Sequence, residues 1–237
     1  MALIYNGTTI TGDYTIMYGS TSLTKIIYNG TTVWEKITSR TYRYKFAGAL
    51  CGTSSGIDGS YPNGSGNFTI GTSRGAMWCV ASNATDYTGF STTFDTCMAK
   101  TITSMKLYIY RQNSQTFNTN ADNSGWLYNP APTSAGCKKL IQTTTTWRNN
   151  GESYVNTTTP VPTNTGLVQC SLNTSQLTTC FRMTANSISS AAGHSPDQLP
   201  AGSYHSLGLK GLYSNNPQFC CKSNDNTYGY IEITANS

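Results

Sequence analysis

Residues 102–111 read ITSMKLYIYR, with Met105, Leu107 and Ile109 in strict alternation with Lys106, Tyr108 and Tyr110. Successive side chains on a strand point to opposite faces, so this stretch has one apolar face and one polar, aromatic face, which a helix would scramble. The residues near the other end do the same: Tyr228, Tyr230, Glu232 and Thr234 interleave with Gly229, Ile231 and Ile233. A strand there is expected to tie that end of the chain into a sheet, beside an early strand.

Other strand candidates fall at 41–47, 76–81, 141–147, 167–171, 178–183 and 205–213, with the last strand over 227–234. Between them GTSSGIDGSYPNGSGN (52–67) and NNGESYVNTTTPVPTNTG (149–166) read as long polar loops. No three-turn helix is expected; TSAGCKKLIQ (133–142) and NSISSAAGHS (186–195) are candidates for short ones. Charged residues are only 11%, against roughly 25% in ordinary soluble domains. The polarity comes from Thr, Ser, Asn and Gly, and there are 16 Tyr. Disordered chains are charge-rich and aromatic-poor, so this is the composition of an all-β protein with many turns. Many strands joined by long polar loops point to a β-sandwich or jelly roll.

The first 38 residues have a different texture. LIYNGTTI (3–10), TIMYGSTSL (15–23) and KIIYNGTTVW (25–34) are three short phrases, the first and last nearly the same. Asn6-Gly7 and Asn29-Gly30 are each flanked by β-formers, the strongest short-range sign of a two-residue type I′ hairpin. Tyr18-Gly19-Ser20 is a weaker version. Such hairpins have almost no core of their own and are marginal in water without a partner surface. The expected division is a hairpin-repeat module at 1–38 and a β-sandwich at 39–237.

The net charge of +5 is modest. Arg40, Arg43 and Lys45 lie close together in SRTYRYKF, and alternation puts Arg43 and Lys45 on one strand face. That face could meet nucleic acid or an anionic glycan, although a solvated face is the more ordinary reading; with no other basic run, a nucleic-acid role is not expected. No stretch reaches the roughly 18 apolar residues of a membrane span, so membrane insertion is not expected. The opening residues lack a basic n-region and an apolar h-region, which is the expectation for a chain made in the cytoplasm without a signal peptide.

Eight cysteines, Cys51, Cys79, Cys97, Cys137, Cys170, Cys180, Cys220 and Cys221, leave disulfides, buried thiols and zinc open. No CxxC pair occurs and Cys220-Cys221 suits a tetrahedral ion poorly, so no metal site is assigned. Neither TNADNSG nor SNDNTYG has the EF-hand spacing for calcium, and Asx-rich turns are the plainer reading. No phosphate loop or other cofactor motif is present, and the expectation is no cofactor.

Catalysis finds little footing. A glycosidase needs two carboxylates facing across a cleft, and Asp86 and Asp95 are the nearest candidates. His194 and His205 have no nucleophile elbow to serve. Binding fits better, because Tyr and Trp rings stack on sugar C–H groups while amides bond hydroxyls. Trp126 and Tyr128, in the loop-like DNSGWLYNP, are the first glycan-binding candidates, with Tyr87 and Tyr154 behind them. Trp78 and Trp147, in strand-like runs, read as core, and Trp126 fits either role.

KIIYNGTTVWEK, preceded by a similar hairpin phrase, resembles the short β-repeats of tailed-bacteriophage virion proteins, through Lys25, Ile27, Tyr28, Gly30, Val33 and Trp34. The strand TITSMKLYIYRQNSQ and the ending Tyr-Gly-Tyr-Ile-Glu-Ile are similar to jelly-roll domains of phage tail and carbohydrate-binding proteins. The resemblance implies a non-enzymatic virion structural protein, a fibre or decoration subunit of head or tail, made in the host cytoplasm and located in the virion. It implies attachment to other virion proteins through residues 1–38, with Tyr5, Asn6, Gly7, Tyr18, Ile27, Tyr28, Asn29, Gly30, Val33 and Trp34 as the attachment residues. It further implies a homo-oligomer, commonly a trimer in phage appendages, and a displayed sandwich for host-surface glycan. A free bacterial carbohydrate-binding or adhesin domain, and a glycan hydrolase, are the alternatives.

Overall fold

The structure is a computed structural model of the 237-residue chain. It describes residues 3–5, 8–10, 17–18, 20–23, 25–35, 38–53, 56–62, 68–69, 75–114, 124–128, 154–158, 162, 164–181, 186–188, 192–194, 197–211, 218–220 and 229–236.

The three N-terminal phrases are three hairpins. Strands β1 (Leu3–Tyr5) and β2 (Thr8–Ile10), β3 (Met17–Tyr18) and β4 (Thr21–Ser22), and β5 (Lys25–Tyr28) and β6 (Thr31–Glu35) form separate two-stranded sheets. At the last turn Asn29 has φ 48° and Gly30 φ 75°. Two successive left-handed residues make the type I′ turn that the strands' right-handed twist demands, and Asn-Gly supplies them at least cost.

After residue 38 the strands are β7 (Ser39–Lys45), β8 (Gly48–Thr53), β9 (Gly56–Pro62), β10 (Phe68–Thr69), β11 (Gly75–Ala81) and β12 (Thr101–Arg111). Then come β13 (Ser124–Tyr128), β14 (Tyr154–Thr158), β15 (Gly166–Gln169), β16 (Asn186–Ile188), β17 (Ala192–His194) and β18 (Asp197–Leu199). The series closes with β19 (Gly202–Gly211), β20 (Gln218–Cys220) and β21 (Tyr230–Asn236). Among the described residues two short helices, α1 (Phe94–Met98) and α2 (Thr174–Phe181), interrupt it.

Eight of these strands define the architecture: in chain order β7, β11, β12, β13, β14, β15, β19 and β21. The first pairs with the last, the second with the seventh, the third with the sixth and the fourth with the fifth, all antiparallel. The last also pairs with the third and the seventh with the fourth. This nested pairing winds one long ribbon into two facing sheets, β7–β21–β12–β15 and β11–β19–β13–β14. The fold is an all-β jelly roll.

The alternation seen in the sequence faces the gap between the sheets. Met105, Leu107 and Ile109 of β12, Ile231, Ile233 and Ala235 of β21, and Tyr42 and Tyr44 of β7 share one buried core with Trp78, Val80 and Leu207 of the opposite sheet. Trp78 meets Phe219 edge-on across the core, centroids 5.8 Å apart. Each large aliphatic side chain among them contributes about 1.5–3 kcal/mol by leaving water, so this shared core is the main source of cohesion. At the end of β12, buried Arg111 donates from Nε to the Asn113 carbonyl at 2.7 Å and from Nη1 to the Pro162 carbonyl. Burial lowers its pKa.

Several local expectations are corrected. Residues 178–181 are the end of α2, not a strand: Asn173 and Gln176 cap the helix reciprocally, each side chain accepting from the other's backbone N–H at 2.9 Å. Residues 186–188 and 192–194 are strands, not a short helix, because β16 adds to β19 and β17 pairs with β18. The supposed loops at 52–67 and 149–166 contribute β9 and β14, whose ladders tolerate Gly, Ser and Asn. The candidates at 133–142 and 141–147, with Trp147, lie outside the described residues.

Cys51, Cys79, Cys97 and Cys170 stand as buried thiols, used as small apolar side chains. The side chains of Cys137, Cys180, Cys220 and Cys221 lie outside the described residues. Among the described residues, no cluster of His, Cys, Asp or Glu has the composition of a metal site.

Candidate functional site

The outward side chains of β7, β21, β12 and β15 fall into cross-strand rows. Lys45 stands opposite Tyr230, Tyr230 opposite Tyr108, and Tyr108 opposite Gln169. The next row is Arg43, Glu232 and Lys106, and the one beyond is Thr41, Thr234 and Ser104. Antiparallel pairing puts opposed residues on the same face, so the chain builds an aromatic row, an ionic row and a hydroxyl row side by side. Three inter-strand gaps make the aromatic row roughly 14 Å wide.

Contacts lock the rows. The Tyr108 and Tyr230 rings stack with centroids 4.6 Å apart, and the Tyr108 hydroxyl donates to Gln169 Oε1 at 3.1 Å. Arg43 places its guanidinium carbon 5.3 Å from the centre of the Tyr230 ring and donates from Nε to Glu232 Oε2 at 2.8 Å. That hydrogen bond, more than the burial opposing it, raises the Arg43 pKa. Lys106 Nζ reaches Glu232 Oε1 at 3.5 Å, and Thr41 and Thr234 join their hydroxyls at 3.0 Å.

The free edge of β7 is covered by the turn at 86–92. Tyr87 donates its backbone N–H to the Arg43 carbonyl at 3.1 Å, and the Thr88 hydroxyl donates to the Thr41 carbonyl at 3.3 Å. Asp86 accepts from the Arg43 backbone N–H at 2.7 Å, the Phe90 N–H at 3.1 Å and the Thr88 hydroxyl at 2.8 Å. Burial pushes the Asp86 pKa up, but these donors together outweigh it and hold the carboxyl below its ordinary value. Gly89 at φ 109° and Ser91 at φ 52° close the turn. An edge strand with unpaired backbone invites aggregation, and this loop removes that hazard.

The same turn presents aromatic rings beside the rows. Tyr87 is 43% exposed and Phe90 45% exposed. Tyr87 meets Tyr230 edge-on at 6.1 Å and carries Lys45 Nζ 5.1 Å over its ring, while Arg40 lies 5.1 Å over Phe90. Burial first, and Tyr230 next, push the Tyr87 hydroxyl up to about 12.

Of the four glycan-binding candidates, only Tyr87 belongs to this face. Trp126, Tyr128 and Tyr154 are on the paired strands β13 and β14 of the other sheet, in strands and not loops, because β13 is held between β14 and β19. Register sets Tyr128 opposite Tyr154 and Trp126 opposite Asn156. Tyr108, Tyr230 and Gln169 were not singled out from the sequence, yet the outward phase of the two most regular strands marks Tyr108 and Tyr230. Arg43 and Lys45 do share an outer strand face, and each is packed over an aromatic ring. Of the attachment candidates, Tyr18 is 80% exposed and Ile27 59%, and Asn29 and Gly30 form the exposed turn. Tyr5, Tyr28, Val33 and Trp34 lie in hairpin strands; Asn6 and Gly7 lie outside the described residues.

The carboxylates considered for catalysis have structural partners. Asp86 is closed by the turn just described. Asp95 Oδ1 lies 2.6 Å from Nε2 of His205, which is buried in β19 and not on the surface as lone histidines usually are, its ring 5.1 Å from that of Phe94. Near that end of β19 a separate cleft of about 410 Å³ is lined by Ser82, Asn83, Ser203 and Tyr204 with Ala81, Ala201 and Gly202, which offers hydrogen bonds and no charge. The chain matches no protein-family model and no curated protein.

Proposed function

We propose that the chain is a non-enzymatic structural subunit of a tailed-phage virion, a fibre or decoration protein whose hairpin module at 1–38 docks on other virion proteins. Its jelly roll at 39–237 is displayed in a symmetric homo-oligomer, a trimer on the analogy of phage appendages, and holds host-surface glycan on the face built around Tyr87, Tyr108 and Tyr230. The observation that carries the reading is the contrast between the two parts. The jelly roll pairs its first strand with its last, while each N-terminal hairpin pairs only within itself among the described strands. Hairpins of this size are marginal alone, and Tyr18 and Ile27 stand exposed on them, as a grip for another subunit requires.

The test is removal of residues 1–38. The remaining domain should stay folded and soluble but no longer join particles, and electron microscopy of the assembly should find the full chain at the particle surface. Unfolding of the fragment would overturn the division. A full-length monomer binding glycan with no particle to join would favour the free bacterial adhesin. Release of reducing sugar would favour a hydrolase.

A further inference from the structure

We infer that the cleft where β11 ends and β19 begins is a second ligand site, and that it takes the acetamido group of a neutral N-acetylated sugar. The choice of a sugar among acetamido compounds rests on the proposed glycan-holding role of the protein, while the acetamido group itself is argued from the cleft alone.

The backbone of the cleft is fixed. Ala84 donates its N–H to the Ala81 carbonyl at 2.9 Å, closing a turn whose central residues are Ser82 and Asn83. Ser82 donates its own N–H to the Ser203 carbonyl at 2.9 Å, and its carbonyl accepts from the Asp95 N–H at 3.1 Å. The Ser82 side chain is not so provided for. Its Oγ is closed off from water and has no hydrogen-bond partner among the described residues. A buried hydroxyl in that state is unfavourable and calls for a partner from outside the fold. Turning about its one side-chain bond toward an acceptor in the cleft breaks no existing bond. On the β19 side, the Tyr204 hydroxyl donates to the Pro200 carbonyl at 3.0 Å. A Cβ at Gly202 would stand 3.4 Å from Cε2 of that ring, so glycine keeps a side chain's space open beside it.

These parts match one chemical group. Ser82 has a proton to give, Asn83 carries an amide that both donates and accepts, and Ala81, Ala201 and the Tyr204 ring are apolar surfaces. An acetamido group brings a carbonyl for the hydroxyl, an N–H for the amide oxygen and a methyl for the apolar wall. A sugar with hydroxyls alone leaves that wall unused. The lining has no charged side chain, and the Asp95 carboxylate lies 2.6 Å from His205 Nε2, so a charged ligand would lose water without gaining a countercharge from the lining. A volume of about 410 Å³ is toward the lower end of small-molecule sites and suits one ring better than a chain.

The experiment titrates the full-length protein with N-acetylglucosamine, glucose and glucosamine, read by saturation-transfer NMR on the sugar. N-acetylglucosamine should bind in the millimolar range, about ten-fold more tightly than glucose, with the strongest transfer to its acetyl methyl. Ser82→Ala should lose that preference and keep the wild-type unfolding midpoint, because the hydroxyl it removes holds nothing in the fold. A serine that only supports the turn would show the reverse. Gly202→Ala, whose methyl makes ordinary contact with Tyr204, should weaken binding several-fold by filling the space, which is an independent reading should Ser82→Ala fail to fold. Equal binding of glucose overturns the acetamido class, and tighter binding of glucosamine assigns the cleft to a cation beside Asp95. Tighter binding of an N-acetyl-lysine peptide keeps the group and overturns the sugar. Binding that both variants leave intact overturns the cleft and leaves the glycan-holding face standing. Failure of these probes and of host-surface glycans alike overturns both.

Discussion

Tyr230 and Tyr108 stack on neighbouring strands, planes 21° from parallel, and Tyr230 also takes the guanidinium of Arg43 and the edge of Tyr87. One ring thus organises the contacts of three strands and the covering turn. Tyr230→Ala should cost about 1–2 kcal/mol, from the lost stack and cation contact, and should abolish glycan binding. Tyr108→Phe keeps the stack and loses only the bond to Gln169, so it should cost about 0.5–1 kcal/mol. Denaturant unfolding with glycan titration checks both. Equal losses for the two variants would show that the stack does not organise the face.

Asp86 gives a pH signature. Its folded pKa lies below its unfolded value, so its contribution is complete above the unfolded pKa of about 3.9 and is lost as pH falls through the lower folded value. Asp86→Asn weakens the hold on the Arg43 and Phe90 N–H groups and should cost about 1–3 kcal/mol at pH 7. The gap between variant and wild type should narrow below about pH 4. Unfolding free energies measured from pH 7 to pH 3 test this, and a gap independent of pH would mean the carboxylate charge is not what closes the turn.

Where local sequence agreed with long-range pairing, the fold was legible. Residues 102–111 and 230–236 announce their faces by alternation, and Asn29-Gly30 announces its turn because few other pairs accept two left-handed residues. The α1 helix spans five residues, too few for a 3.6-residue period to register, and its signal is only Thr93 capping the N–H of Thr96. The Asn173…Gln176 box was a readable start for α2, hidden by the Thr-rich stretch that followed. Strands β9, β13 and β14 take their stability from neighbours on the ladder, which composition does not reveal. The face around Tyr230 was half legible: alternation exposes each outward residue, but only register says which of them meet.

The four described cysteine side chains should be silent in the native protein. Burial raises the thiol pKa of Cys97 and Cys170, and Cys51 and Cys79 are equally enclosed. The thiolate is the reactive form, so buried neutral thiols are slow. Iodoacetamide labelling read by mass spectrometry should leave these four unmodified until denaturant is added. Fast labelling of Cys97 or Cys170 under native conditions would contradict their enclosure in the core.

Gly30 offers a test that separates the proposed attachment from folding. A Cβ at this position meets no atom within 4 Å, so the cost of substitution is conformational and not steric crowding. A β-branched residue held at φ 75° costs about 1–2 kcal/mol, comparable to the whole stability of a small hairpin. Gly30→Val should therefore disrupt the β5–β6 turn and, if the proposed division at residue 38 holds, leave the jelly roll untouched, with its thermal midpoint within about 1 °C of wild type. Incorporation into particles should fall at least several-fold. A variant that enters particles normally would show that this hairpin is not part of the grip, and one whose jelly roll melts early would show that the hairpin belongs to that fold.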